Sequence, residues 1–292
     1  MNARTEPEEA EPATPVRPPL VRELLLVAGL FLVYKFGRRL ATGHTAEAFR
    51  NAHSVWDAER WLRLPDEDTV QSLLLHGDGL VHIANTYYAT VHFPATAAFL
   101  IWLYLRRPAH YVWARRVLAT VTAAALVVHL AFPLAPPRML APTGLIDTAR
   151  VYGPSVYGPP QTDTLSNQFA AMPSLHFGWA VMVAVGMIAA TRSRRRWLWL
   201  WLLHPLLTLL VIVGTANHYW LDALMAAALL GAALLVIRAP RRTVTTAGRD
   251  APALVPAEEK VTAEKVTAEK VPEEKVAEEK VAEEPVLVGT GR

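Results

Sequence analysis

Four polar side chains sit where an otherwise apolar chain has least reason to keep them. They are Arg138 in FPLAPPRML, His176 in AAMPSLHFGWA, and His218 with Asp222 in GTANHYWLDALM. His218 and Asp222 are four residues apart, so they stack on one face of a helix that begins near His218. A carboxylate there holds one imidazole nitrogen as N–H and leaves the other free to attack, the orienting logic of a triad. Alone, such a pair serves equally as a structural hydrogen bond or as part of a metal site. Pro173 suits the first turn of a helix, and the N–H groups of Ser174, Leu175 and His176 would then point outward as an anion site. His176 in that position can hand a proton to a leaving oxygen. Arg138 supplies the planar fork that grips phosphate, although a lone flanking arginine also reads as a snorkelling residue. Two histidines, an aspartate and an arginine over a lipid layer describe phosphoryl transfer on a lipid phosphate.

The elements that must position these groups are apolar runs of bilayer length. The chain has 292 residues, 52% hydrophobic and 19% charged, and no cysteine. The missing cysteines exclude a disulfide scaffold, thiolate zinc sites and any cysteine nucleophile. A helix needs about 20 residues to cross about 30 Å of hydrocarbon. Six runs qualify: residues 20–37, 80–105, 112–134, 174–191, 197–216 and 219–237. The first is the weakest, because Arg22 and Glu23 lie near its start. Trp197, Trp199 and Trp201 stand where an interfacial aromatic belt would be, and Pro205 predicts a kink. Residues 45–64 alternate charge with Phe49, Trp56 and Leu62 and predict an amphipathic helix lying in the interface. A long Gly- and Pro-rich connection follows over 139–171.

The expected fold is therefore all-α: a polytopic membrane protein with a six-transmembrane-helix bundle over residues 20–242. Residues 1–19, rich in Pro and Glu, read as a disordered lead. Residues 243–292 read as a disordered charged tail, because their five-residue VTAEK-type repeat matches neither the helical nor the strand period. That tail holds 7 Lys+Arg against 11 Asp+Glu, so the net charge of +3 conceals a basic membrane part. Its arginines cluster after the second, fourth and sixth runs, which suggests membrane flanks rather than nucleic acid. By the positive-inside rule both termini are then cytoplasmic and the polar cluster is extracytoplasmic; Lys35, Arg38 and Arg39 dissent.

At these residues the chain resembles the type 2 phosphatidic acid phosphatase superfamily. Its three motifs appear here as Pro136-Pro137-Arg138, Pro173-Ser174-Leu175-His176 and His218-Tyr219-Trp220-Leu221-Asp222. Where the lipid phosphatases carry Gly between Ser and His, this chain has Leu175. Val211 and Ile212 stand where they carry Ser-Arg, and Ala131 replaces the leading lysine of the first motif. The form seen here is similar to the inositolphosphotransferase branch, which includes the inositol phosphorylceramide synthases. Asn167, Asn217 and the stretch from Asn85-Thr86-Tyr87-Tyr88 to His92-Phe93 also fit that branch. The resemblance implies His218 as the nucleophile forming a phosphohistidine, Asp222 as its orienter and His176 as general acid, then base. It implies Arg138 on the phosphoryl oxygens with Ser174 assisting, and neither a metal nor another cofactor.

The remaining polar residues invite plainer readings. His92 and His129 are possible supports for the site, as is Asn217, though a structural histidine is the simpler account of the first two. His204 falls in the cytoplasmic half of its run and is excluded. Tyr87 and Tyr88 read as core packing, and Asp147 and Asp163 as loop carboxylates able to meet a polyol. The expected partners are a lipid phosphate, water or a polyol acceptor, and the surrounding lipids, with no nucleic acid. The alternatives are a phosphatidic acid or prenyl (pyro)phosphate phosphatase, or a non-catalytic membrane scaffold that keeps the fold. Halide oxidation on the same frame would need bound vanadate.

Overall fold

A computed structural model describes residues 17–40, 44–154, 168–191 and 196–240. The repeat tail, Asp163, Asn167 and the arginines at 192, 194 and 195 lie outside the described residues. Ten α-helices follow in order: α1 (Leu20–Leu40), α2 (Thr45–Trp61), α3 (Glu67–Leu74), α4 (Asp78–Thr90), α5 (His92–Arg106), α6 (Pro108–Ala131), α7 (Thr148–Tyr152), α8 (Leu175–Ala190), α9 (Leu203–Gly214) and α10 (Trp220–Val236). No strand is found among the described residues, only one parallel bridge between Leu134 and Ala170.

Among the described residues one helix, α6, is by itself long and apolar enough to cross a bilayer. The expected span over 80–105 is divided, with α4 and α5 meeting at a bend of 48°. Pro94, in the first turn of α5, explains the break: it has no N–H to donate, and its ring would strike the carbonyl of Thr90 in a continuous helix. The run expected over 197–216 begins as a 3-10 helix, Arg196–Leu202, and becomes α-helical at Leu203. Pro205 thus falls in the first turn of α9, where a missing N–H costs nothing, and not at an interior kink.

Helix α8 is the hub, packed against α5, α6, α9 and α10. Its small buried residues permit that. A Cβ on Gly186 would lie 2.3 Å from Phe99 Cζ, and one on Gly178 would lie 3.5 Å from Ala226 Cβ. Close approach through small residues is how helices associate where lipid removes the hydrophobic drive between them. Around α8, Leu103, Val117, Met182 and Leu230 form the largest core cluster.

Glu23, the charge that weakens the first expected span, is buried against α6. It accepts a hydrogen bond from Tyr111 Oη at 2.8 Å and ion-pairs with Arg115. A charge so placed keeps a partner when water is absent. Residues 17–19, assigned to the polar lead by composition, are docked on the end of α5: Tyr104 Oη donates to Pro18 O at 2.9 Å, and Arg17 Nη2 to Leu105 O at 2.7 Å.

Candidate active site

The arginine, Pro-Ser-x-His and His-x-x-x-Asp segments are stitched together through their backbones. Arg138 N donates to Ala216 O at 3.0 Å, and Ser174 N donates to Asp222 O at 3.1 Å. Leu134 N bonds Phe169 O at 2.8 Å, and Ala171 N returns to Leu134 O at 3.3 Å. Each segment therefore fixes the next, and all of them lie at one end of α6, α8, α9 and α10. The Ser174 N–H is consumed by Asp222, so it is not part of the outward-facing anion site expected over Ser174–His176. Ser174 is instead the N-cap of α8, fully buried, with Oγ accepting from Phe177 N at 3.4 Å.

His218 follows a tight turn. Ala216 adopts φ 53° in the left-handed region beyond the end of α9, and the N–H groups of Asn217 and His218 both return to Ile212 O. His218 Nδ1 lies 2.8 Å from Ala171 O and 3.2 Å from Asp222 Oδ2. A carbonyl and a carboxylate only accept, so Nδ1 carries a proton, and in the neutral imidazole the lone pair is then on Nε2. Asp222 also accepts from Tyr219 N at 2.9 Å, closing a capping box at the start of α10. One carboxylate thus starts the helix and orients the imidazole.

His176 faces His218 with ring centroids 6.1 Å apart. Its ring stacks on Tyr88 at 4.4 Å and 18°, and the His92 ring lies 4.4 Å from it, centre to centre, with Trp179 5.1 Å from His92. Tyr88, read as core packing, therefore touches the site, as does His92, named as a support for it. Arg138 Nη1 donates to Asn217 Oδ1 at 2.6 Å, and its Nε lies 3.4 Å from Asp147 Oδ2. Asn217 and Asp147 are both brought to the arginine. His129 stands 3.4 Å from Pro173 O, a support behind the Pro-Ser-x-His segment. His204, excluded by its position in the run, hydrogen-bonds Tyr87 Oη at 2.8 Å, and both line a small cavity that reaches His176 and His92.

Several residues outside the three motifs hold the site. Gln71 of α3 donates to Ile146 O at 3.1 Å and to Gly214 O at 3.3 Å, and accepts from Ile146 N at 2.9 Å, tying the long loop to the end of α9. Asn85 donates to the carbonyls of Thr148 and Gly153 at 2.9 and 3.0 Å. Glu59 of α2 accepts from Leu221 N at 2.8 Å. Asn85 belonged to a stretch singled out by resemblance; Gln71 and Glu59 look like the polar faces of surface helices.

Neither the curated proteins nor the solved structures contain a match to this chain. A family model described as the PAP2 superfamily matches residues 53–236, which include Arg138, Ser174, His176, His218 and Asp222. The match covers well over half of the 292 residues. The chain belongs to the PAP2 superfamily.

Proposed function

We propose that this protein is an integral membrane enzyme that moves the phosphoryl or phosphoryl-alcohol group of a lipid phosphate through a phosphohistidine on His218. Membership of the superfamily supports lipid-phosphate chemistry of the phosphatase type. The observation that carries the finer reading is His218 Nδ1 held between Ala171 O and Asp222 Oδ2, which in the neutral imidazole leaves Nε2 free to attack. In the first step Nε2 bonds to phosphorus as the bond to the lipid alkoxide breaks, and His176 gives that alkoxide its proton. In the second, His176 takes the proton of a water or polyol hydroxyl, whose oxygen attacks phosphorus and frees His218. Arg138, pre-oriented by Asn217, and Ser174 bind the phosphoryl oxygens. Through their contacts with His176 and Pro173, His92 and His129 act as positioning residues.

The transferase form, similar to the inositolphosphotransferases, is favoured over a simple phosphatase by the buried Val211 and Ile212. They fill a hydrophobic cluster with Tyr88 and Ala223, where a phosphatase would present an arginine. The proposed setting is six spans with both termini cytoplasmic and the site extracytoplasmic. Outward-facing Leu24, Phe31, Ile101, Val127, Leu206 and Leu235 support a lipid-covered surface.

The test is turnover of phosphatidic acid in phosphatidylcholine vesicles, with and without inositol, by the wild-type protein and His218→Ala. Inositol-dependent loss of donor with little free phosphate identifies a transferase. Inorganic phosphate released by wild type alone identifies a phosphatase. A radiolabelled, acid-labile phosphoenzyme should form on wild type and not on His218→Ala. Equal activity in both proteins would overturn the role of His218.

A further inference from the structure

Beneath the first turn of α10 lies a group of carboxyls that phosphoryl transfer does not use. Glu59 on α2, Glu67 at the start of α3 and Asp222 on α10 are all fully buried. Glu59 Oε1 accepts the N–H of Leu221, the residue next to Asp222, at 2.8 Å. Glu67 Oε2 accepts from Arg60 Nη2. Arg60 also reaches Asp66 Oδ1 at 3.0 Å, with its guanidinium 4.0 Å from the centre of the Trp56 ring. Three oxygens of the group remain, Glu59 Oε2, Glu67 Oε1 and Asp222 Oδ1, and all are buried without a donor. Glu67 lies within reach of a proton on Glu59. Two acceptors satisfy each other only when one carries a proton.

Charge balance decides which one does. The titratable groups acting on Glu59 are Glu67 at the start of α3 and Tyr219 and Asp222 at the start of α10, and Arg60, next to it on α2, reaches Asp66 and Glu67. The one cation among them, Arg60, is already divided between Asp66 and Glu67. A negative Glu59 would be buried without a counter-ion, beside two other carboxylates. Burial first, and then the hydrogen bond to Glu67, push its carboxyl up to about 9. Glu67 is the carboxyl that touches Arg60.

We propose that Glu59 is a positioning residue for the His218 site. As a neutral carboxylic acid it donates to Glu67 and accepts from the Leu221 N–H, clamping the first turn of α10, and with it Asp222, to α2 and α3. The clamp rests on the reading of His218 and Asp222 as the reacting pair. Only the protonated form does both jobs. On ionisation Glu59 loses its donor and sets a negative charge against Glu67 and near Asp222. Because the folded-state value lies above the ordinary 4.5, the proton's contribution to stability is whole below pH 4.5 and is lost as pH rises towards about 9.

The test compares the full-length protein with Glu59→Gln and Glu59→Leu. Glutamine keeps the acceptor and replaces the acid O–H with an N–H donor, whereas leucine has neither. The infrared difference between wild type and Glu59→Gln should contain a carboxylic-acid C=O band at neutral pH that disappears above about pH 9. The melting temperature of wild type should fall between pH 4.5 and 9 relative to that of Glu59→Gln. In phosphatidic acid vesicles, wild-type kcat should fall through about pH 9 while Glu59→Gln stays level there. Glu59→Leu should lose kcat on the order of 100-fold with KM little changed, as displaced catalytic groups do. Absence of the acid band, an identical alkaline limb in wild type and Glu59→Gln, or a Glu59→Gln protein as impaired as Glu59→Leu would each overturn the proposal. If wild type turns over nothing while the band and the melting shift are present, the clamp stands and the lipid-phosphate reading falls.

Discussion

The Nδ1–H of His218 is shared between two acceptors, and the nearer is the Ala171 carbonyl at 2.8 Å, not the Asp222 carboxylate at 3.2 Å. The tautomer therefore does not depend on the carboxylate alone. In Asp222→Asn the side-chain oxygen can still accept from Tyr219 N, so α10 should start where it does now. What disappears is a negative charge beside an imidazole that becomes cationic on phosphorylation. Where an orienting aspartate alone sets the tautomer, its amide costs about 10⁴-fold in kcat. Here the expected loss is about 10²-fold, the scale of one electrostatic contact in a dry site. Vesicle turnover and thermal melting of Asp222→Asn check this together: a normal rate, or an unfolded protein, would contradict it. The chemistry-bearing residues were legible because a histidine or arginine amid apolar sequence stands out. Glu59 and Gln71 were not, since a charge on an amphipathic helix ordinarily faces water, and only the partner surface reveals that α2 turns Ala48, Ala52, Val55 and Glu59 inward.

At the level of elements, the packing of α8 against α5 makes a sharp demand. A methyl group at Gly186 would meet the Phe99 ring at 2.3 and 2.8 Å, and that ring is itself buried. Gly186→Ala should therefore destabilise the bundle by about 1–3 kcal/mol, the cost of overpacking a filled core. Gly231 of α10 has nothing within 4 Å of its added Cβ. Gly231→Ala should instead leave stability unchanged or raise it by up to about 1 kcal/mol through helix propensity. Melting of the two variants in one detergent separates the effects, and equal shifts would mean that α5 and α8 do not approach so closely. The helix ends also explain what the apolar runs concealed. Hydropathy sees one stretch over 80–105, whereas Pro94 decides that it is two helices. It sees a stretch from 197, whereas the α-helix begins only at Leu203.

Over the whole molecule, the helices that carry the site are shorter than a bilayer is thick. At 1.5 Å per residue, the 16 residues of α8 and the 12 of α9 span about 24 and about 18 Å against about 30 Å of hydrocarbon. The difference is made up by the 3-10 helix Arg196–Leu202 that leads into α9 and by irregular backbone after α6, before α8 and between α9 and α10. Such backbone is tolerated at membrane depth when protein covers it. Leu134, Ala135, Ala171 and Ala216 are accordingly buried. Composition alone cannot tell such a segment from the end of a helix, which is why the runs read over 174–191, 197–216 and 219–237 are longer than α8, α9 and α10. The proposed orientation can be checked directly because the chain has no cysteine. Arg150, on α7 beside the site, and Arg238, beyond the end of α10, are both exposed. With the site extracytoplasmic, an impermeant maleimide should label Arg150→Cys in intact cells and reach Arg238→Cys only after permeabilisation. The reverse pattern would put the reacting histidines on the cytoplasmic face, where Lys35, Arg38 and Arg39 would no longer dissent, and the polyol or water that resolves the intermediate would come from the cytoplasm. Labelling of both in intact cells would mean that α10 does not cross, and the six-span topology would fall.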